Sequence, residues 1–193
     1  MQCGFGGSAR QGVAAALKQG SNPFLESTAA IAYAFLGDAD RANAIIDALS
    51  TRYPSDALLK LEAVLPIRAL NLLHAKRADE AVAALEPSRK YEWAAPESPI
   101  TYLSIYVRGM AYLQVRDGAK AAAEFQKILD HPGLNPLGVL YALAQLNLAR
   151  AYAVQNKTDQ ARIAYQNFLA EWKDADPDIP VLIAAKSEYA KSH

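Results

Sequence analysis

Only a handful of residues in this sequence are of the types that bind metals, activate nucleophiles or move protons, and their spacing argues against each of those chemistries. The three histidines, His74, His131 and His193, stand far apart and share no metal-ligand spacing with Cys3 or with carboxylates on one helical face. Asp174, Asp176 and Asp178 alternate as the first ligands of a calcium loop do, yet the glycine and terminal glutamate of such a loop are missing. Gly4, Gly6 and Gly7 invite comparison with a phosphate-binding loop. No strand pattern precedes them, the G-x-G-x-x-G spacing fails at Ala9, and no Lys-Ser/Thr pair follows. There is no G-x-S-x-G string and no Ser, His and Asp set. The expectation is a protein without catalytic, metal-binding or cofactor-binding residues, and so not an enzyme. His131, in the turn DHPG, reads as a solvated loop residue or a partner for a helix C-terminus.

Composition narrows the class further. Twenty basic and twenty acidic side chains give zero formal charge, which removes the electrostatic footprint of a nucleic-acid binder. Apolar residues make up 52% of the 193 positions, well above a disordered chain, and no apolar run is long enough to cross a bilayer. No direct membrane insertion is expected. The opening stretch MQCGFGGSARQGVAAALKQGSNP has no basic n-region and only a short apolar run, unlike a signal peptide. A cytoplasmic location follows, or an extracytoplasmic one if a membrane span lies upstream in a longer parent protein. Cys3 is the single cysteine, so no internal disulfide forms and the redox compartment stays open.

The positioning elements come from a pattern that recurs. In YVRGMAYLQVRDGAKAAAEFQKILD, small Gly109, aromatic Tyr112, small Ala121 and aromatic Phe125 stand at fixed offsets, with Pro132 closing the segment. The same offsets hold for Ala149, Tyr152, Ala161 and Tyr165, for Ala69, Leu72, Ala81 and Leu85, and for Ala30, Tyr33, Ala42 and Ile46. The two small residues are twelve positions apart in every copy, and copies follow one another at steps of 39, 40 and 40. Helix pairs explain this: where two axes approach closely only Gly or Ala fits, and large side chains fill the grooves beside the contact. Each pair carries an apolar stripe that only a stacked neighbour can bury.

This skeleton resembles the G-x2-Y…A-x3-F pattern of tetratricopeptide repeats. The resemblance implies an all-α, right-handed superhelix of antiparallel hairpins, about four repeats of period 39–40 with a flanking helix at each end. The step exceeds the roughly 34 residues usual for that repeat and approaches the roughly 40–47 of HEAT and armadillo units. The extra residues fall only between hairpins, as in PSDALLKLEAVLP and HPGLNPLGVL, which favours lengthened first helices.

The expected organisation is a partial repeat helix at 8–22, repeats at 24–54 and 55–87, a connector at 88–99, repeats at 100–133 and 136–177, and a capping helix at 178–193. Within it, the first helix runs from Ser8 or Ala9 to Gln19, and the helix from Asp56 to Ala75 kinks at Pro66. The connector PSRKYEWAAPESP covers a repeat edge with Tyr91 and Trp93. Asp178 caps the last helix, with Pro180 in its first turn. Leu182, Ile183, Ala185 and Tyr189 form that helix's apolar side; Lys186, Glu188 and Lys191 are polar.

The runs RGMAYLQVRDGAKAAAEFQKILDHPG and WKDADPDIPVLIAAKSEYAK resemble the C-terminal tetratricopeptide regions of bacterial eukaryotic-like serine/threonine protein kinases. That likeness extends from about Ala9 to the end and implies an interaction or sensor region behind a kinase domain. No H-R-D, D-F-G or V-A-I-K string is present, so it implies no kinase activity here.

Binding is the function that remains. In tetratricopeptide arrays the first helices line a concave groove, which places Phe35, Leu73, His74, Tyr106, Met110, Leu113, Leu146 and Arg150 on a candidate binding surface. This mostly apolar set lacks the Lys and Asn pattern of repeats that clamp a terminal carboxylate. A protein or peptide partner is expected. Self-association, as a homodimer through an exposed edge, and a small-molecule pocket inside the superhelix stand as alternatives.

Overall fold

The structure, a computed structural model, describes residues 3–94, 100–134 and 138–192, and all regular structure among them is helical. The chain forms two compact units, Met1–Tyr91 and Glu92–His193. The first contains α1 (Cys3–Gln19), α2 (Pro23–Phe35), α3 (Ala39–Arg52), α4 (Ala57–Leu59), a π-helical stretch Lys60–Val64, α5 (Leu65–His74), α6 (Ala78–Leu85) and a 3-10 stretch Glu86–Tyr91. The second contains α7 (Leu103–Gln114), α8 (Gly118–Leu129), α9 (Val139–Val154), α10 (Thr158–Glu171) and α11 (Pro180–Ala190). In the first unit α2 packs on α3 and α5 on α6, with α1 against α2 and α5 against both helices of the preceding pair. In the second, α7 to α11 pack in a row, each on the next, and α7 also meets α9.

The small residues stand where the helices meet. Ala30, Ala42, Ala69, Ala81, Ala121 and Ala149 are completely buried, as are Ile46, Leu85 and Phe125 from the large positions. A Cβ on Gly109 would lie 2.7 Å from the Phe125 ring, so the residue opposite that ring has to be glycine. Leu72, Tyr112 and Tyr152 are only half-buried; cations cover the two tyrosines, with Lys120 5.5 Å from the Tyr112 ring and Lys157 5.9 Å from that of Tyr152.

Each hairpin turns by the same backbone device. Gly37, Lys76, Arg116 and Asn156 have φ of 71°, 62°, 60° and 58°, and each lies seven positions past its hairpin's first small residue. The next residue's N–H then donates back to the carbonyl five residues earlier, Asp38 to Tyr33, Arg77 to Leu72, Asp117 to Tyr112 and Lys157 to Tyr152, at 2.9–3.0 Å. This Schellman closure satisfies carbonyls that the helix end leaves open. Only the first copy uses glycine. Lys76 is exposed and carries a Cβ in the left-handed region at a cost of ~1–2 kcal/mol; allowing for glycine's greater chain entropy, Lys76→Gly should stabilise the protein by about 0.5–1 kcal/mol. A urea melt with an unchanged or lower midpoint would rule this account out.

Four local features depart from the sequence reading. The first helix begins at Cys3 instead of Ser8 or Ala9, because a tertiary contact outweighs the glycine-rich start. Arg10 donates to Gly6 O at 3.3 Å and to Leu36 O at 2.8 Å and pairs with Asp38 at 3.5 Å, tying this helix to the end of α2. Pro66 is accommodated by a π turn, with Leu65 N–H bonded to Lys60 O; the wider turn relieves the clash that a proline ring makes with the carbonyl four residues back. Part of the connector is helical, the 3-10 stretch Glu86–Tyr91, held by Ser88 Oγ donating to Leu85 O at 2.7 Å. The cap of α11 falls on Ile179, which has no side-chain acceptor, and not on Asp178. Residues 95–99 of the connector, Pro136 and His193 lie outside the described residues.

The described part of the connector in the second unit is docked firmly. Trp93 stacks on His131 with ring centroids 4.3 Å apart, and His131 Nδ1 lies 2.8 Å from Lys127 O at the end of α8. Glu92 bonds to Arg108, which also reaches Glu124 at 2.8 Å; Lys127 lies 3.3 Å from Glu92 and 3.4 Å from Glu124. Two cations thus face two carboxylates in a site where Arg108 is fully buried and both glutamate side chains are 6% exposed. Charge neutrality makes this burial tolerable.

Candidate interaction surface

In the first unit the candidate residues fall at the end of the two first helices. Phe35 is 36% exposed, Leu73 is buried and His74 is exposed. The His74 ring lies 3.6 Å from where a Cβ on Gly37 would stand, so it packs on the preceding hairpin's turn. On the opposite side of α5, at about 3.6 residues per turn, Arg68, Asn71 and Ala75 line an open cleft of about 470 Å³ with Asn43 and Asp47 of α3. A smaller cavity of about 200 Å³ adjoins it through Arg68. Asn71 donates to Asn43 at 2.9 Å and Arg68 to Asp47 at 3.1 Å. None of the candidate residues line these cavities.

In the second unit two of the candidates, Tyr106 and Arg150, are linked through Asn147. Leu146 is completely buried in a core with Ala149, Ala161, Ala164, Tyr165, Phe168, Leu182 and Ala185. Tyr106 is also buried, edge-on to Phe125 at 5.8 Å. Its hydroxyl accepts from Asn147 Nδ2 at 2.9 Å, and Asn147 Oδ1 accepts from Arg150 Nη1 at 3.0 Å. Met110 and Leu113, one and two turns further along α7's sequence, are half-buried. Arg150 then forks onto Glu188 of α11, Nε to Oε2 at 2.8 Å and Nη2 to Oε1 at 2.9 Å, while Tyr165 donates to the same Oε2 at 3.0 Å. The result is a carboxylate receptor built from α9 and α10 and filled by α11.

The electrostatics follow from this geometry. Burial pushes the Tyr106 phenol up to about 12 against the Asn147 hydrogen bond, so it stays protonated. Burial and the adjacent Glu188 carboxylate raise Tyr165 as well. Burial alone would raise Glu188; the Arg150 and Tyr165 hydrogen bonds outweigh it and hold the carboxyl below its ordinary value of 4.5. A carboxylate lowered in the folded state contributes stability that is complete above its unfolded value and lost as pH falls through the folded one. Acidification below 4.5 should therefore lower the amide protection factors of α11 before those of the rest of the unit, and Glu188→Gln should remove that pH dependence. Uniform exchange across α9 to α11 at low pH would contradict it.

Sequence reasoning placed Arg150 and Tyr106 among the candidates but not Glu188, Asn147 and Tyr165, which the structure sets against them. Glu188 looked like part of α11's polar side, although Leu182, Ala185 and Glu188 lie at i, i+3 and i+6 and share one face. That spacing was the available signal.

With neighbouring helices packed in a row within each unit, the fold is all-α and consistent with a tetratricopeptide-like helical repeat. Residues 143–175, most of α9, α10 and the turn that follows, match the tetratricopeptide repeat family. No curated protein and no solved structure matches the chain. Among the described residues no His, Cys, Asp and Glu side chains converge as a metal site, and no helix is long and apolar enough to cross a membrane.

Proposed function

We propose that this chain is a non-catalytic protein-interaction module that binds its partner on the first-helix face of the second unit, around Met110, Leu113 and Arg150. Tetratricopeptide repeats mediate protein–protein interaction or scaffolding, and the matched hairpin contains Arg150. The observation that carries the reading is the Arg150 cluster: a guanidinium oriented by Asn147, which also bonds to Tyr106, on a helix that packs against α7, where Met110 and Leu113 are half-buried, supplies the adaptable apolar surface and directed charge that protein partners use. Tyr106 and Leu146 support this face from within. Resemblance to kinase-linked repeats supplies the wider context, an interaction or sensor region of a serine/threonine kinase; a kinase domain encoded upstream of Met1 is the expectation, and another domain there would remove it.

The test is affinity capture from native lysate with the wild-type chain and with a Met110→Glu, Leu113→Glu double variant, both checked for equal melting temperature. Half-buried positions are chosen so that the fold survives. A reproducible partner should be lost from the variant. Equal retention would move the binding face elsewhere.

A further inference from the structure

The receptor around Arg150 already holds a carboxylate, and the chain itself supplies it. Everything that shapes the receptor belongs to α7, α9 and α10: Arg150 and Asn147, Tyr165, and Tyr106 behind them. Glu188 is the occupant, with Leu182 and Ala185 seated in the adjoining apolar core.

The occupant is lightly held. Leu182 and Ala185 are the only fully buried residues of α11; Val181 and Tyr189 are partly buried against the same core, Tyr189 Oη accepts from Gln166 Nε2 at 2.9 Å, and Ile183 is 53% exposed. The Arg150 and Glu188 side chains remain 31% and 33% exposed. Lys173, Asp174, Asp176, Pro177 and Asp178, which tether the helix to α10, are all exposed. An element with so few buried contacts opens at low free energy, whereas the fork it leaves behind is fixed by hydrogen bonds that do not involve it.

We infer that α11 stands in for the partner: the surface of α9 and α10 beneath it docks a helical segment of another protein, one with an apolar residue, a small residue three places on and an acidic residue three further, which displaces α11. This rests on the reading of the face given above and adds the chemistry of what binds there. A second copy's α11 is the weaker candidate. It would present identical groups in competition with a tethered helix, whose effective concentration is of order millimolar, and would gain nothing over it. A foreign helix with a better-fitting apolar residue can win. Arginine sets the acidic requirement, because its planar fork matches a carboxylate with two parallel bonds where lysine offers a point charge.

The experiment uses the full chain and a fluorescein-labelled synthetic peptide of residues 178–192 as the probe, read by anisotropy. Glu188→Gln in the chain weakens the internal occupant, and the probe should then bind roughly tenfold tighter than to wild type, about 1.4 kcal/mol. A chain carrying Glu188→Gln with Arg150→Glu should reject this probe and accept the Glu188→Lys peptide, a charge-swap rescue that a merely structural role of Arg150 does not give. Absence of probe binding to the Glu188→Gln chain at millimolar concentration overturns the inference, as does failure of the rescue. A wild-type dimer in sedimentation that the probe dissociates overturns it in favour of exchange between copies. If the probe fails while the Met110→Glu, Leu113→Glu variant still loses its partner, the face stands and the mimicry falls; if both fail, the face itself is wrong.

Discussion

Arg108→Ala is expected to destabilise the protein by ~3–5 kcal/mol, the largest effect of any single substitution considered. Arg108 is fully buried, bonded to Glu92 and Glu124. Its removal leaves two carboxylates in a site almost closed to water, beside a Lys127 that is itself 38% exposed. Their mutual repulsion and lost solvation are what cost stability, more than the lost attraction. The surface pair Arg77 and Glu80, each side chain 56% exposed, is the control, since water screens it and holding two long side chains offsets what attraction remains; Arg77→Ala should barely move the melt. Urea denaturation with tryptophan fluorescence checks both, because release of Glu92 also frees Trp93 from its stack on His131. Equal, small effects for the two arginines would mean that the cluster is solvated.

This cluster also marks where the sequence ceased to be readable. Arg108 stands next to Gly109, the most informative residue of the repeat skeleton, yet nothing in its spacing pairs it with Glu92, which lies in the connector, or assigns it to the interior. Buried charges are recognised by their partners, and partners distant along the chain are not visible as a period. Hairpins are the opposite case. Ala30 and Ala42, or Ala69 and Ala81, are fixed by contacts between consecutive helices, so the constraint is local and recurs at one offset. The four left-handed turn residues show an intermediate case: their positions repeat, but Gly37, Lys76, Arg116 and Asn156 share no side-chain chemistry, because the requirement falls on the backbone. Within the candidate surface, Arg150 was legible as a lone charge among apolar neighbours. Its ligand was not, because Glu188 lies on a helix beyond the repeats and its role depends on how α11 is laid against α9 and α10.

The stacking of the third hairpin on the fourth depends on a residue outside the repeat skeleton, and Gly118→Val should cost about 3 kcal/mol. Gly118 begins α8, and a Cβ there would come within 2.6 Å of Ala151 O, 2.9 Å of Gln155 Cγ and 3.0 Å of Val154 Cγ1 on α9. Side chains can turn aside, but a carbonyl fixed in the last turn of a helix cannot. The approach is reinforced by Gln155 Nε2, which donates to Gly118 O at 2.8 Å and to Ala151 O at 3.1 Å, so separating the helices to admit a side chain also strains these bonds. Helix propensity alone predicts the reverse sign, since replacing glycine within a helix ordinarily gains up to about 1 kcal/mol. Gly12, inside α1 with nothing within 4 Å of an added Cβ, shows propensity without crowding, and Gly12→Ala should therefore stabilise by roughly 0.5–1 kcal/mol. Opposite signs for the two substitutions in the same denaturant series would identify close helix approach as the reason for Gly118. A stabilising Gly118→Val would show that α8 and α9 do not meet at this distance.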